Sequence, residues 1–103
     1  MTDECRELLY EDAEVCFMCD HLVELGKVAM HLNIAPGAWS PSRFKRYRDI
    51  FQHQIVPYLK QKSYGEVYAT PFENDIKAQK LIKMFGLHEY GQNMGLVLMK
   101  KEI

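Results

Sequence analysis

The chain has no long apolar run, almost no net charge and little cysteine, and each shortage removes a class of protein. No stretch approaches the roughly 20 consecutive apolar residues that a bilayer-spanning helix needs, so no membrane partner is expected. A formal charge of −1 supplies no global field toward nucleic acid or an anionic surface. The cysteines number three, an odd count without the dense spacing of a disulfide framework, which points to a reducing compartment. The acidic start Met1-Thr-Asp-Glu-Cys-Arg-Glu7 lacks a hydrophobic signal segment. The expected location is the cytoplasm, or a particle assembled there. Internal repeats, low-complexity segments and domain boundaries are missing too, so residues 1–103 read as a single domain with one modest core.

What is present is apolar and aromatic. Hydrophobic residues make up 48% and aromatics 12% of the chain, enough to make disorder a poor expectation. Residues 8–10 and 14–19 favour strands around a turn at Glu11-Asp12, with Asp20-His21 read as an interruption. A helix over 13–25 stays open as an alternative. Gly26-Lys27 marks a second turn, and residues 28–34 alternate, with Val28, Met30, Leu32 and Ile34 on one face and His31 and Asn33 on the other. Together these segments suggest a hairpin. After a loop over 35–42, Ser40-Pro41 is a helix start with serine as cap. The apolar positions Phe44, Tyr47, Phe51, Ile55, Tyr58 and Leu59 then follow helical spacing, and Pro57 should kink or reset the helix near its end. Residues 66–70 read as a short strand. A second helix follows, capped by Asp75, striped by Ile76, Ala78, Leu81, Ile82 and Phe85, and stopped by Gly86-Leu87. Lys77, Lys80 and Lys83 face the other way. Residues 89–95 read as a turn-rich link and 96–99 as a final strand. A strand–helix–strand unit implies a parallel pair.

Asn74/Asp75, Ala78, Leu81, Gly86 and Leu87 resemble the second-half helix of the GNAT (Gcn5-related) N-acetyltransferases, where an Asn-x-x-Ala-x-x-Leu-Tyr-x-x-x-Gly-Phe segment lies beside the acyl-CoA thioester. The order of elements from Val28 to Glu102 is similar to that fold as well. The resemblance implies an α/β (α+β) domain, a GNAT-like mixed, mainly antiparallel sheet with a central parallel pair and two principal helices. It also implies a trimmed version, since only about thirty residues precede the matching part. Acetyl-CoA is the cofactor it implies. The phosphates would lie against Ser40, Ser42, Arg43, Lys45 and Arg46 at the first helix start, where the helix dipole favours an anion, and the second site would involve Asn74 and Asp75. His31 or Glu66 could serve as general base, with His88 a further option. Tyr90 could stand in as general acid, with Tyr68 and Tyr64 as alternatives.

Two departures shape the functional expectation. The family's loop carries an Arg/Gln-x-x-Gly-x-Gly/Ala pattern, whereas residues 38–44 here contain neither glycine, place Pro41 where a donor is needed and add the bulk of Phe44. Ile82 stands where the family commonly has its proton-donating tyrosine. One reading is therefore a GNAT-like binding or assembly module that pairs with itself or another protein through strand edges and apolar surface left open by the trimming. Small divergent members of this kind occur among bacteriophage proteins, including virion and head-assembly components. The other reading is an active N-acetyltransferase acting on an amine. Nucleic acid is a third option through Arg43, Lys45, Arg46 and Arg48, which could equally form a solvated face beside Asp49. No metal is expected. Cys16-Phe-Met-Cys19 with His21 and Cys5 has ligand chemistry, but strand alternation puts Cys16 and Cys19 on opposite faces, so they read as small buried hydrophobes.

Overall fold

The computed structural model describes residues 6–103. Cys5, considered as a ligand above, lies outside the described residues. Strand β1 (Arg6–Glu11) turns into β2 (Val15–Leu22), a short 3₁₀ turn (Val23–Leu25) leads into β3 (Lys27–Ile34), and a long helical segment follows. That segment runs from α1 (Pro41–Ile50) through a π-helical stretch (Phe51–Ile55) into α2 (Val56–Gln61). Then come β4 (Glu66–Ala69), α3 (Ile76–Met84), β5 (His88–Asn93) and β6 (Leu96–Glu102). The sheet has six strands in the order β1-β2-β3-β4-β6-β5. Every neighbouring pair is antiparallel except β3–β4. This is the mixed sheet with one parallel pair and two helical segments that the sequence implied.

Local chemistry explains several boundaries. Asp12 accepts from the backbone N–H groups of Glu14 and Val15 at 2.8 and 3.0 Å, closing the β1–β2 turn through its own side chain. Asp75 caps α3 by accepting from the Ala78 N–H at 3.1 Å. The other end of α3 has paired 5→2 and 6→1 bonds, from Gly86 N–H to Lys83 O and from Leu87 N–H to Ile82 O. Gly86 sits at φ +99°, which an L side chain rarely adopts.

Two expectations are corrected and one takes a specific form. Asp20 and His21 do not interrupt β2. Asp20 pairs with Arg6 and His31, and His21 with Glu7 and Tyr64, so their polar groups are satisfied within the strand. The helical alternative for 13–25 falls with that finding. Pro57 resets the long helix near its end, as its position implied. A proline ring clashes with the carbonyl four residues back, and here the preceding turn widens so that Val56 N–H bonds Phe51 O five residues away. Finally, residues 89–95 are mostly β5. A two-residue turn, Met94 at φ 52° and Gly95 at φ 80°, joins it to β6.

The core lies on one face of the sheet. Val15, Phe17 and Cys19 of β2, Val28 and Met30 of β3, Val67 and Ala69 of β4, and Val97 and Met99 of β6 meet both helical segments there. Phe85, at the end of α3, joins the layers. Its ring stacks on Phe51 at 5.0 Å and touches Phe17 at 5.9 Å. The opposite face carries Met18, Asp20, Ala29, His31, Tyr68 and Lys100, all half-buried, and no described helix packs on it.

Phe85→Ala should lower stability by about 3–5 kcal/mol, because it empties the contact shared by helices and sheet. Ile76→Ala, on a residue 54% exposed, should stay within about 0.5 kcal/mol. Urea unfolding of both variants tests this, and equal losses would remove Phe85 as the joint.

Candidate functional site

Strands β3 and β4 pair only at Val28↔Val67 and Ala29↔Tyr68. Past that point the chain after β4 leans toward β6, with Val97 N–H donating to Pro71 O at 2.8 Å and Phe72 bridging Leu96. Pro71 has no N–H of its own to offer β3. The parting leaves a cleft of about 260 Å³ whose lining includes His31, Trp39, Thr70, Asp75, Ala78 and Ile82.

His31 is the one proposed catalytic residue in this cleft. Its Nε2–H donates to Asp20 Oδ2 at 2.7 Å, which leaves Nδ1 as the ring's proton acceptor. Asp20 also accepts from Arg6 at 2.8 and 3.1 Å. The Arg6 guanidinium, then the His31 bond, holds the Asp20 carboxyl down at about 2. A histidine oriented by a carboxylate is the geometry of a general base, and its side chain is 40% exposed. Glu66 and Tyr90 are elsewhere. Tyr68 donates to Glu66 at 2.6 Å, Lys100 lies 3.8 Å from the same carboxylate, and the Tyr90 ring meets Tyr68 edge-on at 6.0 Å. These contacts, the tyrosine bond first, lower the Glu66 pKa. Glu66 and Tyr90 thus gather around Tyr68, where β3 and β4 are still paired, and not around His31.

At the start of α1, Ser40 holds the cap position, but its hydroxyl makes no cap bond. It accepts instead from Arg43 Nη1 at 3.2 Å and meets Ser42 Oγ at 3.3 Å. Arg43 donates to Glu14 at 2.6 Å, and Arg46 to Asp12 and Glu14 at 2.7 and 2.6 Å. The Arg46 bond, aided by the two backbone donors, holds Asp12 far below the usual carboxylate range. Three backbone donors in this loop are also committed: Ala38 N–H to Ala35 O, and those of Arg43 and Phe44 to Ser40 O. Trp39 and Phe44 pack edge-to-face at 5.8 Å, and Tyr47 donates to Ala38 O at 2.9 Å. Lys45 is exposed, and Arg48 lies 3.9 Å from Asp49. Asn74 is exposed beside the Asp75 cap. Ile82, on α3 and 7% exposed, lines the cleft and offers no proton.

Sequence reading missed the partners. Asp12, Glu14 and Asp20 are fourteen or more positions from the arginines they hold, and only the folded register brings them together. It also missed a second polar cluster on the core face. Tyr64 lies 2.7 Å from His21 Nδ1, His21 Nε2 2.6 Å from Glu7, and Tyr58 donates to Glu7 at 2.5 Å. Cys19 is buried beside them, and burial pushes its thiol up to about 12, so it is no nucleophile as it stands.

The architecture is a mixed α/β sheet whose single parallel pair opens into a cleft beside two helix starts. It is the GNAT acetyltransferase fold. A domain from Methanocaldococcus jannaschii matches with a TM-score of 0.70 at 16% identity, covering 93% of this chain and 63% of that one. The ribosomal-protein-S5-alanine acetyltransferase of Vibrio fischeri matches at 0.65 and 11%, covering 86% and 54%. The aminoglycoside acetyltransferase AAC(6')-Ib, in complex with coenzyme A and kanamycin, matches at 0.63 and 10%, covering 86% and 67%. The chain therefore spans 54–63% of the length of the first two of these neighbours. No protein-family model and no curated protein matches the sequence. Among the described residues no helix is long and apolar enough to cross a membrane.

Asp12 and Asp20 make the fold acid-sensitive. A carboxyl depressed in the folded state stabilises it above the unfolded pKa of about 3.9, and that contribution drains away as pH falls through the folded value. For Asp20 the window runs from about pH 4 down to about 2. Urea midpoints measured from pH 6 to pH 2 should fall in that window, and Asp20→Asn should be weaker at pH 6 with a shallower fall. An unchanged slope in the variant would remove Asp20 from the acid transition.

Proposed function

We propose that this GNAT-fold chain is a binding or assembly module that does not catalyse acetyl transfer. The observation that carries the reading is the ion-pair cluster at the start of α1. Arg43 and Arg46 are already neutralised by Asp12 and Glu14, so a pyrophosphate would have to displace carboxylates held at 2.6–2.7 Å. The backbone N–H groups of Ala38, Arg43 and Phe44 are also taken, and Ile82 cannot protonate a departing thiolate. The open sheet face, with half-buried Met18 and Cys16 and with Leu8 55% exposed, is the surface offered to a protein partner or a second copy. Particle assembly, including that of phage virions, is one setting for such a module. With three of its four cations in ion pairs, the Arg43–Arg48 cluster gives little support to a nucleic-acid role.

One observation favours the alternative of an active N-acetyltransferase. His31, oriented by Asp20, lines the same cleft as the start of α3. Thermal unfolding with and without acetyl-CoA separates the two. A ligand at a hundred times its Kd adds about 2.7 kcal/mol, and the module reading expects no shift at millimolar acetyl-CoA. A shift, together with amine acetylation lost in His31→Gln, would establish the enzyme. Sedimentation of a concentration-independent monomer, with no partner recovered, would remove the assembly role.

A further inference from the structure

The cluster of Glu7, Cys19 and His21 is unused by either functional reading, and its placement follows from the sheet. Glu7 lies directly across the β1–β2 ladder from Cys19, while Cys19 and His21 are two residues apart and share the core face. Ladder hydrogen bonds therefore fix all three Cα positions before any ligand arrives. Their donor atoms, Glu7 Oε1, Cys19 Sγ and His21 Nε2, lie within 4.8 Å of one another.

We propose that these three side chains bind one borderline divalent cation of the zinc class, with water completing a tetrahedral site. Bond lengths of about 2.0 Å to nitrogen and 2.3 Å to sulfur put the N···S edge of such a site at about 3.5 Å. Cys19 Sγ is already 3.5 Å from His21 Nε2. The Nε2–Oε1 separation, now 2.6 Å, must widen to about 3.3 Å, a small rotation for the half-exposed Glu7 side chain.

The surroundings are those of a ligand set with its outer partners in place. With Nε2 on the ion, the His21 proton moves to Nδ1 and is accepted by Tyr64 Oη, 2.7 Å away. Tyr58 holds Glu7 Oε2, which leaves Oε1 for the cation. A Glu7 carboxylate and a Cys19 thiolate together neutralise a dication, and the thiol proton is released to solvent on binding. Mixed sulfur, nitrogen and oxygen donors select zinc or cobalt over magnesium or calcium. The hydrogen-bonded chain from Tyr64 through His21 to Glu7 and Tyr58 is complete without Cys19, yet the buried sulfur sits at the tetrahedral distance. Cys16, on the opposite face, takes no part.

Cobalt titration of the full chain after chelator treatment tests the site. One equivalent should produce the visible bands of tetrahedral cobalt and a thiolate-to-metal charge-transfer band, both bleached by zinc. The bands should survive Cys16→Ser and disappear in Cys19→Ser and His21→Gln, with folding checked by circular dichroism. X-ray absorption of the wild-type zinc protein should give one sulfur at about 2.3 Å among lighter ligands at about 2.0 Å, a readout independent of any variant. Absence of the bands from wild type, a charge-transfer band retained in a folded Cys19→Ser or His21→Gln protein, or more than one sulfur on the zinc would each overturn the proposal.

Discussion

The parting of β4 from β3 after two paired residues is the constraint on which the rest of this structure depends. Parallel strands that stayed together would leave no opening between them, and α3 would have no cleft to face. Instead the chain beyond Ala69 commits its backbone to β6, through Pro71 O and the Phe72–Leu96 bridge. The exposed end of β3 then presents His31 on one face and apolar side chains on the other. On either side of this splay the sheet is antiparallel, interrupted by bulges between Leu8 and Tyr10 and between Glu89 and Gly91.

Charge distribution decides what the cleft's neighbourhood can do. Partly exposed ion pairs contribute little to stability one at a time, but Asp12 also holds the β1–β2 turn while Arg46 holds Asp12. The same arginines that would attract a phosphate in isolation are turned toward their own strands. A cluster that looks cationic in sequence is therefore close to neutral in space. On the core face a comparable economy operates around Glu7, where one carboxylate ties β1 to His21 of β2 and to Tyr58 of α2.

Legibility followed how local the signals were. The α3 helix was readable from end to end, because Asp75, the apolar stripe and Gly86-Leu87 each act within a turn of where they stand. The alternation of β3 survived for the same reason. By contrast, β5 was hidden: it is an edge strand, exposed on both faces apart from Gly91, so no apolar period marks it, and a bulge between Glu89 and Gly91 shifts its register. Asp20 and His21 looked like a break because their partners lie on other strands. Pro57 signalled a reset of the helix, but the widened turn that achieves it has no sequence signature.

By itself, the sequence determined the types of most elements other than β5, the GNAT-like order, the missing glycines before Phe44 and the isoleucine at position 82, since each depends on residues close together in the chain. Only the tertiary structure decided that Arg43 and Arg46 are spent on Asp12 and Glu14, that His31 rather than Glu66 or Tyr90 reaches the cleft, and that Glu7, Cys19 and His21 converge. Those facts depend on strand register and on hydrogen bonds between residues far apart in sequence. A one-residue slip in register would turn the strand side chains among them, His31, Glu7, Cys19 and His21, to the other face.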